Sequence, residues 1–212
     1  MSIQINLNNV SNSIPNTVTL VAVSKTKPNS YIEEAYTAGQ RIFGENRVQE
    51  LVEKHESLPK DIEWHLIGHL QKNKVKYIAP FVSLIHGIDS IATLKEINKQ
   101  GLKNNRVINC LLQVKIANED SKFGFSPDII LSVLNSEELK KLKNISIKGL
   151  MGMASFTNDS EQVRNEFALL KSIFDQTSLE ILSMGMSGDY QLAIEQGSTM
   201  VRVGSAIFGK RD

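Results

Sequence analysis

The sequence contains a single cysteine, Cys110, in 212 residues. One thiol cannot close an internal disulfide and cannot build a cysteine-based zinc site. Its neighbours, Ile108-Asn109-Cys110-Leu111-Leu112, read as a buried strand, so the thiol is expected to sit inert in the core. An excess of one charge is also missing. Lys and Arg together number 24 and Asp and Glu 23, a formal charge of +1. That balance removes the electrostatic case for a nucleic acid or an anionic membrane as partner. No apolar run approaches the roughly 20 residues that span a bilayer. The start, Met1-Ser2-Ile3-Gln4-Ile5-Asn6, lacks the basic-then-apolar order of a signal peptide. A cytoplasmic setting is expected. The 5 prolines and 13 glycines are scattered, and no Pro-rich or Gly/Ser tract divides the chain. The expectation is therefore one globular domain over residues 1–212.

What is present is a rhythm of short β-type runs and helix-type stretches. The β-type runs are Val18–Ser24, Arg41–Phe43, Ile62–Leu66, Val82–His86, Val107–Ile116, Ile147–Leu150, Leu179–Leu182 and Met200–Val203. Between them, Tyr31–Ala38, Arg47–His55, Ile91–Gly101 and Glu161–Asp175 place apolar residues at three- and four-residue spacing. Ser30, Asp89-Ser90 and Asn158-Asp159 stand ahead of such stretches as candidate N-caps. Strands alternating with helical connections imply parallel pairing with right-handed crossovers. The number of units favours a closed (β/α)8 barrel over an open doubly wound sheet. The period is unclear over Ser121–Ser136.

In such a barrel, chemistry gathers where strands end and loops begin. Lys25 follows the apolar run Thr19–Ser24 and starts at the barrel mouth. Desolvation there favours the neutral amine that a Schiff base requires. A strand-end lysine that pairs with a carboxylate or reaches solvent is the plainer reading of Lys25 by itself. Lys27, just before Pro28, reads as the surface lysine of the two. Ser187-Gly188-Asp189 precedes a helix-type stretch, Tyr190–Gln196, whose start favours an anion. Gly204 permits close backbone approach and the Ser205 hydroxyl can donate. Taken singly these residues are caps and turns; together, on adjacent strands, they point to a phosphate site. His65 and His69 have a spacing that can bind metal on a helix, but Ile62–Leu66 reads as strand and Gly68 interrupts, so no metal site is expected. Lys72, Lys74 and Lys76 read as a solvated basic face.

Three segments carry a resemblance. Ala22-Val23-Ser24-Lys25-Thr26-Lys27-Pro28, Phe43-Gly44-Glu45-Asn46-Arg47-Val48-Gln49-Glu50 and Trp64-His65-Leu66-Ile67-Gly68-His69-Leu70-Gln71-Lys72-Asn73-Lys74 resemble the pyridoxal phosphate homeostasis proteins. Leu182-Ser183-Met184-Gly185-Met186-Ser187 and Gly197–Gly209 continue the match in collinear order. The resemblance implies a (β/α)8 barrel that binds pyridoxal 5′-phosphate (PLP) as an internal aldimine on Lys25. It implies a phosphate held by Ser187, Gly204 and Ser205, with Arg202 near the ring and Asn46 close to the cofactor. The short segment before the first strand implies a leading helix that is trimmed or irregular. The Met151–Phe156 stretch departs from the commoner proline-containing version.

The barrel also resembles the N-terminal domain of alanine racemases, whose second domain supplies a catalytic tyrosine. The chain ends at Asp212, shortly after the last strand, and no such domain is expected. An arginine near the pyridine nitrogen disfavours the pyridinium and weakens the ring as an electron sink. The expected role is storage, buffering or delivery of PLP, with PLP-dependent apo-enzymes as the partners and a monomer or weak dimer as the form. A weak PLP-dependent amino-acid enzyme such as a racemase is the alternative. No catalytic residue is assigned.

Overall fold

Ser2 opens the first helix by accepting a hydrogen bond from the Ile5 N–H, 3.3 Å away, in the computed structural model, which describes residues 2–117 and 123–210. This helix, α1 (Ile3–Asn12), is regular over 10 residues, so the leader is not irregular. Its polar composition hides a stripe of Ile3, Leu7 and Val10, at helical spacing and all buried.

The chain then alternates strand and helix. β1 (Thr19–Val23), α2 (Asn29–Thr37), β2 (Ile42–Glu45), α3 (Val48–Ser57) and β3 (Glu63–Leu66) form the first units. A 3-10 turn (Lys72–Lys74), α4 (Val75–Ile78), β4 (Leu84–Ile88), α5 (Ile91–Lys103) and β5 (Ile108–Gln113) follow. Next come α6 (Ile130–Leu134), α7 (Glu137–Lys140), β6 (Ile145–Met151) and α8 (Ser160–Phe174). The last elements are β7 (Ile181–Ser183), α9 (Tyr190–Glu195), β8 (Met200–Val203) and α10 (Ser205–Phe208). The strands close into a parallel barrel in sequence order, with β8 paired back onto β1. This is the (β/α)8 barrel the rhythm predicts.

Strand alternation sorts side chains to two sides of the wall. Ala22, Phe43, Leu66, Leu112, Leu150 and Val203 pack outward in the core shared with the helices. Val21, Leu84, Leu111, Met151 and Met200 form a separate cluster inside the barrel. Fully burying side chains of this size stabilises by about 1.5–3 kcal/mol each. The same period carried one or two residues past each strand sets which polar groups face the barrel mouth.

Some boundaries differ from the sequence reading. The fifth strand stops pairing at Gln113, and Val114 makes an isolated bridge to Phe125. Helix α6 lies in the Ser121–Ser136 stretch, of which residues 121 and 122 are outside the described residues. Ser90 and Asp159 are N-caps whose side chains accept from the first-turn N–H groups. Ser30 is not: α2 begins at Asn29, Pro28 holds the cap position, and Ser30 lies inside the first turn. Proline fixes the entry dihedral there, which makes a side-chain cap unnecessary. Among the described residues no helix is long and apolar enough to cross a membrane.

Candidate functional site

The strand C-terminal ends enclose a cleft of about 700 Å³. Lys25, Asn46, Ser187, Arg202, Gly204 and Ser205 all line it. Residues taken from four strand ends are thus brought to one place, and a cleft of this size suits a small phosphorylated cofactor. Lys27 lines the cleft too, which corrects its reading as an outward surface residue. The correction has a local cause. Thr26 takes a left-handed backbone, φ 64°, so the chain does not continue the strand's alternation. Lys27 then donates from Nζ to the Lys210 carbonyl, 2.9 Å away, and lies 5.8 Å from the Tyr31 ring centre.

Arg202 points into the barrel from β8 and is buried. Its Nη1 donates to Ser183 Oγ at 2.7 Å and its Nη2 to the Gly152 carbonyl at 3.1 Å. The chain of contacts continues inward: Ser183 Oγ is 3.1 Å from His86 Nδ1, and His86 Nε2 is 3.1 Å from His65 Nδ1. Burial pushes the His65 imidazole down to about 3. Burial, then the His65 and Arg202 charges, hold His86 well below its usual range. Both rings are therefore neutral near pH 7. Assigning protons so that the serine hydroxyl is used, Ser183 accepts from the guanidinium and donates to His86, which donates in turn to His65. Burial lowers Arg202 to about 10, opposed by the Asp189 carboxylate, so the arginine stays cationic. The two histidines were visible as strand-end residues. Their connection through Ser183 was not, although counting by two from Ile181 puts Ser183 inside the barrel. His65 and His69 do not share a face: His69 sits at the mouth, 3.0 Å from Asp89 and stacked on Phe123.

The expected anion site needs one correction. The helix after Ser187-Gly188-Asp189 is the short α9, and the Asp189 carboxylate accepts from the Met186 N–H at 2.6 Å. A carboxylate at that turn opposes an anion. Ser187 instead reaches across to the loop after β8, where its Oγ accepts from the Gly204 N–H at 3.0 Å and the Ala206 N–H at 3.4 Å. The polar donors therefore gather around residues 204–206. Packing is tight at Gly204: a Cβ there would lie 3.1 Å from the Val23 carbonyl oxygen.

The wall after β6 is held by a buried carboxylate. Ser155 donates to Glu166 from its N–H at 2.6 Å and from its hydroxyl at 2.7 Å. That clamp fixes the loop carrying Met153, Ser155 and Phe156 along the cleft, the stretch that departs from the proline-containing pattern.

A second polar network lies on the outer side of the wall, between β1, β2 and α3. Lys54 Nζ donates to the Ser24 carbonyl at 2.8 Å, to Glu45 Oε1 at 2.8 Å and to Glu50 Oε1 at 2.6 Å. Ser24 Oγ also donates to Glu45 Oε1 at 2.6 Å, while Glu45 Oε2 is buried without a partner. Burial raises Glu45 to about 7, against the pull of Lys54 and Ser24. The sequence signal was the Glu50–Lys54 pair one helical turn apart, facing a strand that ends in Glu45.

The sequence profile described as "Alanine racemase, N-terminal domain" matches residues 1–212. The pyridoxal phosphate homeostasis protein of Aquifex aeolicus is 40% identical over 203 residues, covering 92% of this chain and 88% of that protein. The human protein of the same name is 39% identical over 211 residues, covering 91% of this chain and 76% of that protein. PipY of Synechococcus elongatus, solved with PLP bound, superposes with a TM-score of 0.87 at 35% identity, covering 98% of this chain and all of that one (100%). An alanine racemase of Clostridium difficile superposes at 0.82 with 15% identity, covering 99% of this chain and 57% of that one, which shows a shared fold.

Proposed function

The chain belongs to the alanine racemase N-terminal domain family, and from that premise we propose that it binds PLP on Lys25 and serves PLP homeostasis. It stores, buffers or hands over the cofactor and does not turn over amino acids at enzymatic rates. The observation that carries this reading is the meeting of Lys25, Arg202 and the Ser187–Gly204–Ser205 group in one cleft. Bound PLP supplies an aldehyde that condenses with a primary amine, and a ring that can drain electrons from the amine's substituents.

The residues fit that group in three ways. Lys25 provides an amine on the cleft wall, and the loop it stands on is fixed from behind. The Ser187 and Ser205 hydroxyls provide donors for a phosphate, with the Ser187 oxygen held by the Gly204 and Ala206 N–H groups. Arg202, pinned by Ser183 and Gly152, provides a fixed cation that disfavours a proton on the pyridine nitrogen. Without that proton the ring drains electrons poorly, so exchange of one amine for another is favoured over carbon-acid chemistry. Asn46 lines the same cleft and contributes polar contact to the cofactor. The recipients are apo-forms of PLP-dependent enzymes, the setting is the cytoplasm, and the chain acts as a monomer or weak dimer.

Deuterium exchange separates carrier from enzyme. PLP-loaded protein is mixed with alanine in deuterated water and the α-proton is followed by NMR. The expected exchange is near that of free PLP. Exchange at the roughly 1–1000 turnovers per second of ordinary enzymes would replace this reading with an amino-acid enzyme.

A further inference from the structure

Lys25 is bracketed by neighbours that are themselves held from a distance. On one side, the Ser24 N–H donates to the Gly44 carbonyl at 3.1 Å and its hydroxyl to Glu45 at 2.6 Å. The Ser24 carbonyl accepts from Lys54 at 2.8 Å and from the Lys27 N–H at 3.0 Å. On the other side, the Thr26 N–H donates to Glu50 Oε1 at 2.6 Å. Thr26 has φ 64°, a conformation that a β-branched residue keeps only when its surroundings impose it. Lys54 joins the two sides, because the same ammonium bonds Ser24, Glu45 and Glu50.

We propose that Glu50 and Lys54 of α3, with Glu45 of β2, are positioning residues for Lys25, holding the Ser24–Thr26 turn so that the Lys25 side chain enters the cleft. The inference rests on the reading that Lys25 is the amine that takes PLP. Glu45, Glu50 and Lys54 do not line the cleft, so they act through the backbone on either side of Lys25. Stability is a weak reason for the network. A buried ion pair is often replaceable by apolar side chains without loss, and this one leaves Glu45 Oε2 without a partner. What the network does achieve is convergence: the Ser24 hydroxyl and carbonyl and the Thr26 N–H all end on it. It takes the place of a longer strand or a glycine turn in setting the direction of one side chain.

The test uses Glu50→Ala and the paired change Glu45→Gln with Lys54→Met. Glu50 is partly exposed, at 21% of its side chain, so its variant retains the fold even if the pair does not. Two measurements are made. In PLP-free protein, acylation of every lysine by acetic anhydride is followed across pH by peptide mass mapping. In a second experiment PLP is added and the rate of its capture is read by absorbance. The expected result is a Lys25 acylation profile that departs from the parent's while other lysines outside the network keep theirs. PLP capture slows by about tenfold or more, the scale expected when a reacting group is misplaced by a fraction of an ångström to an ångström. Folded variants that acylate Lys25 and capture PLP as the parent does would overturn the proposal. If PLP in the parent attaches elsewhere while the Lys25 profile still shifts in the variants, the positioning role stands and the cofactor assignment falls.

Discussion

Two buried polar networks lie on opposite sides of the same barrel wall, and they handle charge differently. The outer one pairs a full cation, Lys54, with Glu45 and Glu50, and it braces a turn. The inner one strings two neutral imidazoles and a serine behind a single cation, Arg202. The outer network can use opposite charges because α3 brings a carboxylate and an ammonium together on a helix face. The inner network has barrel packing all around it and no carboxylate among its members, so burial keeps its histidines neutral. The outer network thus contributes geometry, and the inner network fixes a positive charge at the cleft floor, within reach of the Asp189 carboxylate.

The comparison breaks most sharply at Lys54. Lys54→Met leaves the buried Glu45 carboxylate without its cation and is expected to cost about 3–5 kcal/mol in urea unfolding near pH 8. Adding Glu45→Gln to the same chain is expected to recover most of that loss. A double variant no more stable than the single one would show that the pair is not the coupled unit described. The inner chain is more tolerant. Ser183→Ala removes one hydrogen bond to a guanidinium that keeps its Gly152 partner and a neutral one to His86, for about 2–4 kcal/mol together. Equal losses at Lys54 and Ser183 would erase the distinction between the two networks.

Acid titration gives the smallest effect and the sharpest contrast, because the networks have opposite signs. His65 has its folded value lowered to about 3, so the unfolded chain binds the proton first and stability falls as pH drops below the ordinary value near 6.5. From pH 6.5 to pH 5 that loss is about 1.5 kcal/mol for His65, with His86 acting in the same direction. Glu45 has its folded value raised to about 7, so its contribution is present below pH 4.5 and lost as pH rises through 7. It therefore offsets the histidines on acidification. Glu45→Gln removes that offset and is expected to steepen the acid loss by about 1–2 kcal/mol over the same range. Unchanged urea midpoints across pH 5–6.5 in parent and variant would contradict both assignments.

How much of this was legible in the sequence differs between wall and site. The barrel was readable because the strands are mostly apolar and the longer helices, α5 and α8 among them, carry a buried stripe. Lys25 and Gly204 stood out because function in this fold follows strand ends, whereas Asn46 and Arg202 were named through the family resemblance; all four line the cleft. Lys27 was misread because alternation fails at Thr26, whose left-handed backbone nothing in the local sequence announces. Ser187 lines the cleft, but its partners lie on the next loop, a contact between segments 17 residues apart. The Lys54 network was hidden for the same reason. Its members are ordinary surface residue types, and burial between α3 and the barrel gives them their role. Local pattern shows which face a residue occupies; long-range packing decides which other residue it meets there.

The central claim is that PLP joins this chain at Lys25 and not at its cleft neighbour Lys27. Borohydride reduction of PLP-loaded protein, followed by peptide mass mapping, tests it most directly. The expected result is pyridoxyl label on Lys25 alone, with loss of the bound-cofactor absorbance in Lys25→Ala. Label on Lys27 in the parent chain, or on no lysine at all, would contradict the account.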